Sequence, residues 1–200
     1  QACHGNDSAA QKDNWLIKPS RQACGSCHDN VNFATGKNHV DLPQVSDNQC
    51  STCHIPQGEL EFDASIKGAH LIPKFSQSLP GLVAQINNIA GGSAGSKPTV
   101  TFTLKDKAGN PVSAKDLTTL RVYWAGPTTD YKEYNQEDAA KAACDGQGVC
   151  TYTFAKPIPA EAKGTYSIYM EGYRQITLMP GTTKSVDQRD AFVNPVSYLS

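Results

Sequence analysis

The chain has 200 residues, of which 38% are hydrophobic, and a formal net charge of −1 at pH 7. This length suits one or two small domains, and the near-neutral charge provides neither a basic stripe for nucleic acid nor a cationic amphipathic helix for a membrane surface. No run of about 18 or more apolar residues is present, so no membrane-spanning helix is predicted.

The first segment, residues 1–78, contains all five histidines and five of the seven cysteines. Its hydrophobic residues show little periodicity, and Gly, Asn, Asp and Ser are interleaved with them. A segment of this kind is too poor in patterned apolar residues to build a conventional core. We expect an irregular chain with short helical turns, packed around flat apolar cofactors that take the place of the core.

Two Cys-x-x-Cys-His motifs occupy residues 24–28 and 50–54. This spacing is the attachment signature of c-type haem, because two thiols must reach two vinyl groups of one porphyrin while the next residue places an imidazole under the iron. The motifs predict thioether bonds and proximal iron ligation. The predicted thioether residues are Cys24, Cys27, Cys50 and Cys53, and the predicted proximal ligands are His28 and His54.

Cys3 and His4 repeat the second half of the same motif. The partner cysteine would fall immediately before Gln1, so we expect a third haem motif that is interrupted there, with Cys3 as a thioether residue and His4 as a proximal ligand. A haem held by one thioether, or a Cys-His pair that binds nothing, are the alternatives. About three haems are therefore expected.

The two remaining histidines, His39 and His70, are predicted to be distal iron ligands. The only methionines, Met170 and Met179, lie far along the chain, so His-Met ligation is not expected. Two axial histidines fill both free positions of the iron, which then transfers electrons without binding substrate. Three such haems need six histidines and the chain has five. Either another ligand comes from upstream sequence, or one haem is open and reduces a small molecule.

A zinc site is the structural alternative for the cysteines. Two Cys-x-x-Cys pairs, at residues 24–27 and 50–53, also match a four-thiolate zinc ribbon. Such a site would leave the histidine after each pair, and the Cys3-His4 repeat, without a role.

The second segment, residues 79–200, has the period-two alternation of strands with one buried face. Strands are predicted at residues 82–89, 99–104, 119–124, 151–154 and 165–170. The residues predicted to share buried faces are Val100, Phe102 and Leu104; Leu120, Val122 and Trp124; and Tyr166, Ile168 and Met170. Glycine-rich turns separate them, which favours an antiparallel Greek-key barrel or sandwich.

Cys144 and Cys150 are predicted to form a structural disulfide on a loop between strands of this segment, with a redox-sensing pair as the alternative. Covalent haem attachment and a disulfide both belong to compartments outside the cytoplasm. The protein is therefore expected to be exported.

The haem motifs and their surroundings resemble a known family. The stretches RQACGSCHDNVNFATGKNH (21–39), QCSTCH (49–54) and FDASIKGAH (62–70) are similar to the end of the first pentahaem domain in extracellular decahaem cytochromes of the OmcA/MtrC type, from metal-respiring bacteria. The second segment resembles the β domain that follows, and RDAFVNPVSY (189–198) resembles the lead into a second haem domain.

The resemblance implies bis-histidine haems in an extracellular respiratory conduit that delivers electrons to metal oxides, chelated metals or flavins, with possible terminal metal or flavin reductase activity. Implied partners are other haem domains of the same chain and an outer-membrane conduit. The implied location is the extracellular face of the outer membrane, with the periplasm as alternative.

The resemblance further implies a split-barrel Greek key whose cysteine pair influences flavin interaction. Here Cys144 and Cys150 enclose only five residues. This loop is shorter than expected for the best-known members, so flavin is the least supported of the implied cofactors.

Overall fold

The computed structural model describes residues 10–199. The chain divides into two compact units, the first ending at Ile72 and the second beginning at Pro73. The longest described helix has five residues. None of the described helices therefore has the length or apolar character needed to span a membrane.

Short helices are the only regular elements in the described part of the first unit. They are α1 (Asn14–Ile17), α2 (Arg21–Gly25), α3 (Cys50–Cys53) and α4 (Ile66–Ala69), with a 3₁₀ turn at Asp47–Gln49. Serine hydroxyls begin two of them: Ser20 Oγ accepts the N–H of Ala23 at 3.2 Å, and Ser65 Oγ accepts that of Gly68 at 3.0 Å. Helices this short are unstable in isolation, so contacts outside each helix must hold them in place.

The described residues of the first unit bury few apolar side chains. Phe62, 9% exposed, is their only buried hydrophobic residue, whereas Val40 and Leu60 are 81% and 76% exposed. The polypeptide of residues 10–72 therefore supplies no hydrophobic core of its own.

The second unit is built from two antiparallel sheets. Its strands are β1 (Val83–Ala90), β2 (Thr99–Lys105), β3 (Thr119–Gly126), β4 (Glu133–Asp138), β5 (Ala143–Cys144), β6 (Val149–Thr153), β7 (Tyr166–Leu178), β8 (Val186–Ala191) and β9 (Val196–Leu199), with 3₁₀ turns at Pro73–Phe75 and Ala114–Asp116. One sheet has the order β1-β2-β6-β5. The other has the order β4-β3-β7-β8, with β9 also paired to β7.

The strand order is that of a Greek-key sandwich. β2 lies beside β6 in one sheet and β3 beside β7 in the other, which is the neighbour pattern of immunoglobulin-type sandwiches. The two sheets pack on each other, and among the described residues they do not close into one barrel. The sandwich alternative of the prediction is thus confirmed, and the split barrel is not.

The core lies between the two sheets and follows the predicted alternation. The residues predicted to face inward on β2, β3 and β7 are all at most 4% exposed: Val100, Phe102, Leu104, Leu120, Val122, Trp124, Tyr166, Ile168 and Met170. All nine belong to one buried hydrophobic cluster. Period-two patterning therefore identified the buried faces correctly.

Four strands escape the sequence pattern. β4 (EYNQED) and β8 (VDQRDA) consist mainly of polar residues, because each is an edge strand with one neighbour and only a half-buried face. β5 and β9 have two and four residues, too few to show a period.

The placement of the cysteine pair on a loop was wrong. Cys144 lies in β5 and Cys150 in β6, and the two are directly opposite in the antiparallel pair. Only the turn of residues 145–148 is loop. The disulfide joins them with an S–S distance of 2.00 Å.

A partly buried carboxylate, Glu137 of β4, organises the chain after β6. Its side chain accepts hydrogen bonds from the Tyr152 hydroxyl at 2.8 Å and from the backbone N–H groups of Ala155 and Lys156 at 2.8 and 2.9 Å. Burial by itself raises the pKa of Glu137, but these bonds, together with one from the Asn135 amide, outweigh it and hold the pKa below its ordinary value.

Candidate haem site

The first motif is placed by α2 and the turn that follows it. The N–H groups of Cys27 and His28 both donate to the carbonyl of Cys24, at 3.1 and 2.9 Å. One helical turn therefore brings the second thiol and the imidazole back over the first thiol. Cys24 and Cys27 are free and exposed.

The second motif repeats this backbone arrangement. It forms α3, and the His54 N–H donates to the carbonyl of Cys50 at 2.9 Å. Burial raises the pKa of the Cys50 thiol, and the nearby charges of Asp47 and Cys24 raise it further. The contribution from Cys24 indicates that the two motifs are neighbours.

An ion pair links the starts of the two motifs. Arg21, the first residue of α2, donates from its backbone N–H and its Nε to Oδ1 of Asp47, at 3.1 and 2.7 Å. These hydrogen bonds hold the pKa of Asp47 below its ordinary value. Asp47 opens the 3₁₀ turn that leads directly into α3, so this contact fixes one motif relative to the other.

The four described histidines form two pairs. The ring centres of His28 and His70 are 6.1 Å apart, and those of His39 and His54 are also 6.1 Å apart. The ring planes meet at 83° in the first pair and at 30° in the second. Each pair joins one motif histidine to one of the two histidines that lie outside the motifs.

This separation fits a metal ion held between two imidazoles. A metal–imidazole bond of about 2 Å, with roughly 1 Å more from nitrogen to ring centre, places two ligand rings about 6 Å apart. Any angle between the planes is compatible, since each ring can turn about its own metal–nitrogen bond. The donor set, two thiols and two imidazoles per group, suits c-type haem.

Backbone carbonyls orient both non-motif histidines. Nδ1 of His70 is 2.7 Å from the carbonyl oxygen of Ile66, and Nδ1 of His39 is 3.2 Å from that of Leu42. A carbonyl can only accept, so in each ring Nδ1 carries the proton and the lone pair is on Nε2. This is the usual support for a metal-binding histidine. Sequence reasoning missed these contacts; the four-residue spacing of Ile66 and His70 was the available signal.

A cavity of about 510 Å³ lies beside the second histidine pair. His39 and His54 line it together with both cysteines of the second motif, and Cys24 and His28 of the first motif reach its wall. Phe33, Leu42 and Ile66 are among its apolar lining residues. Its volume falls in the range of small-molecule and cofactor sites.

The described residues do not support the zinc alternative. Among residues 10–199, no group of three or more His, Cys, Asp or Glu side chains is gathered as metal ligands. The two Cys-x-x-Cys pairs therefore do not converge on one tetrahedral site. Cys3 and His4, the predicted third motif, lie outside the described residues.

Comparisons with known proteins relate the chain to multihaem cytochromes. No family model matches it. It is 30% identical over 153 residues to the multiheme cytochrome MtrC of Shewanella baltica (strain OS185), a match covering 72% of this chain and 22% of that protein. A crystal structure of the outer membrane decaheme cytochrome OmcA matches with a TM-score of 0.53 and 17% identity, covering 99% of this chain and 31% of that one. The chain thus spans about a fifth of the curated relative, and the OmcA match shows a shared fold.

Proposed function

The chain is homologous to a segment of the OmcA/MtrC family of multihaem cytochromes, and we propose from this kinship that it relays electrons between closely spaced c-type haems. The observation that carries the proposal is the pairing of the four described histidines at equal ring separations of 6.1 Å.

The pairing assigns a ligand set to each described motif. In this proposal the first haem is bound by Cys24 and Cys27 and ligated by His28 and His70. The second is bound by Cys50 and Cys53 and ligated by His54 and His39. The second set is nested within the first along the chain, so the ligation of the first haem also closes the loop that contains the second.

Electron transfer, rather than substrate chemistry, suits these ligand sets. Haem c supplies a one-electron couple when bound, and two histidine ligands keep its potential below that of a His-Met site. Within the described residues each motif histidine has an imidazole partner, which leaves no open axial position at either motif. The alternative of a small-molecule reductase is therefore restricted to a haem at Cys3 and His4.

The two haems are proposed to be near neighbours. Cys24 and Cys50, one from each motif, line the same cavity, and the Arg21–Asp47 contact ties the two helical turns together. Short separations allow electron exchange with little structural change. The first unit would then be a haem relay, and the β sandwich a spacer or a surface for partners.

The cellular setting is proposed from the relatives. An exported chain of this family would act at the extracellular face of the outer membrane, with the periplasm as alternative. It would receive electrons from other haem domains and an outer-membrane conduit, and deliver them to metal oxides, chelated metals or flavins. Any flavin site would have to tolerate the short loop between Cys144 and Cys150.

The first test is the intact mass of the protein, expressed with its upstream residues in a host that attaches haem c, together with its reduced-minus-oxidised spectrum. A mass gain of several haems with low-spin bands is expected. The double variant Cys50→Ala/Cys53→Ala should lose one haem. Cys144→Ala/Cys150→Ala, which removes two cysteines outside the motifs, is the matched control and should lose none. A bare polypeptide mass would contradict the proposal.

A further inference from the structure

The first unit contains one buried side-chain hydroxyl, and it lies in the sequence before His70. Ser65 is 3% exposed, in a unit whose described part buries few side chains of any kind. Its neighbour in space is the Asp63 carboxylate. The following inference rests on the proposed haem ligation and concerns what holds one of its ligands.

Asp63 and Ser65 form a continuous set of hydrogen bonds. Asp63 Oδ1 accepts from both the backbone N–H, at 3.0 Å, and the hydroxyl of Ser65. Asp63 Oδ2 accepts from the N–H of Leu60 at 3.3 Å. Because the Ser65 hydroxyl donates to the carboxylate, its lone pairs face the helix, where Oγ accepts from Gly68 N–H at 3.0 Å. A charged acceptor strengthens the first of these bonds and fixes the direction of the second.

The packing at this point leaves no tolerance. A Cβ on Gly68 would stand 2.2 Å from Asp63 Oδ1 and 2.8 Å from the Asp63 backbone nitrogen. Since the nearest obstruction includes backbone as well as side chain, moving one rotamer does not relieve it. Glycine at this position lets α4 approach Asp63 closely enough for the Ser65 cap to form.

The helix held in this way ends at the ligand. α4 has four residues, and His70 is its C-cap. The carbonyl of Ile66, in the first turn of α4, is the 2.7 Å partner of His70 Nδ1. The helix is therefore both the tether and the orienting group for that imidazole. A four-residue helix cannot maintain this geometry alone.

α4 is also joined to the second motif. The N–H groups of Ile66 and Lys67 donate to the carbonyls of Ile55 and Pro56, at 2.9 and 3.1 Å. Ile55 and Pro56 directly follow His54. The distal ligand of the first haem is thus carried by a helix attached to the chain just beyond the proximal ligand of the second.

We propose that Asp63 and Ser65 are positioning residues that hold α4 so that His70 stays on the first haem. Neither residue is a ligand. Their effect is confined to one of the two haems, because His39 and His54 are oriented by other contacts.

The test uses Ser65→Ala in the haem-loaded protein, read by EPR of the oxidised form and by carbon monoxide binding to the reduced form. Ferric haems with nearly perpendicular imidazole planes give a different low-spin signal from those with nearly parallel planes, so the 83° and 30° pairs are read separately. We expect the signal of the perpendicular pair to lose intensity, a high-spin signal to appear, and carbon monoxide to bind at one haem. The other low-spin signal should be unchanged.

Three further variants separate positioning from general stability. Ser65→Thr retains the hydroxyl and should restore the wild-type spectrum. Asp63→Asn retains an acceptor without the charge and should give a weaker form of the Ser65→Ala effect, which serves if Ser65→Ala fails to accumulate. Ser76→Ala is the matched control, because Ser76 is 4% exposed and its Oγ accepts a backbone N–H at 3.0 Å, but it lies in the second unit. It should leave both signals intact.

The results distinguish this inference from the proposed function. If the wild type shows two bis-histidine signals and Ser65→Ala leaves both unchanged, or weakens both equally, the positioning role is wrong while the haem relay stands. If the wild type itself lacks bis-histidine signals, the proposed ligation fails first.

Discussion

Removing the disulfide between Cys144 and Cys150 should lower the free energy of unfolding of the second unit by about 2 kcal/mol. The bridge spans a sequence separation of 6 residues. In the chain-entropy description a loop this short restricts the unfolded state by about 7 to 8 cal/mol/K, which is about 2 kcal/mol at 25 °C. For a unit of this size that corresponds to a decrease of roughly 6–10 °C in Tm.

Replacing both cysteines by alanine adds a packing cost, because Cys150 is fully buried. Loss of its sulfur should remove about 1 kcal/mol more, comparable to a buried methylene. The two contributions can be separated. Reduced wild-type protein lacks only the cross-link, whereas Cys144→Ala/Cys150→Ala lacks both the cross-link and the sulfur atoms.

Urea unfolding followed by tryptophan fluorescence measures these values. The chain has two tryptophans, and Trp124 is 1% exposed in the core of the sandwich. A Trp15→Phe background makes Trp124 the only tryptophan reporter. The midpoint should fall at unchanged slope. An unchanged midpoint would refute the structural reasoning, and so would a slower electron transfer to acceptors without any loss of stability, which would point to a redox role.

The remaining predictions concern the ligands and the partly buried acids of the sandwich. His70→Met should raise the potential of one haem and leave the others unchanged, since a His-Met pair has a higher potential than two histidines; a spectroelectrochemical titration in which no wave moves would refute the assignment. Because the pKa of Glu137 is lowered in the folded state, the stability that Glu137 contributes is present above its ordinary value of 4.5 and is lost as the pH falls through the lower folded value. Acid unfolding of Glu137→Gln should accordingly show a weaker pH dependence than that of the wild type. Burial, with a hydrogen bond to a carboxylate, raises the pKa of Tyr152 and of Tyr166 to about 12, so an absorbance titration should find these two tyrosines ionising after others; their contribution to stability is complete below pH 10 and is lost as the pH rises through 12. Removing Asp190, 5% exposed and 3.1 Å from Arg174, should leave a buried guanidinium unpaired and cost about 3 kcal/mol or more in urea unfolding.

The buried faces of three strands could be predicted from the sequence because each is a local property. Val100, Phe102 and Leu104 alternate with polar residues, and alternation is the repeat of any strand with one buried side. The polar edge strands β4 and β8 have no such signature. They form because β3 and β7 offer them unpaired backbone groups, which only the assembled sheet provides.

The sequence by itself determined the chemistry of the candidate site. Cys-x-x-Cys-His brings two thiols and an imidazole together within one helical turn, so the motifs at residues 24–28 and 50–54 identify themselves at short range. Only the tertiary structure decided which distant histidine joins which motif. His39 and His70 are equally isolated along the chain, and their assignment depends on the loop closures that bring His70 to His28 and His39 to His54. Those closures are made by capping, ion-pair and backbone contacts between segments far apart in sequence, which no local spacing encodes.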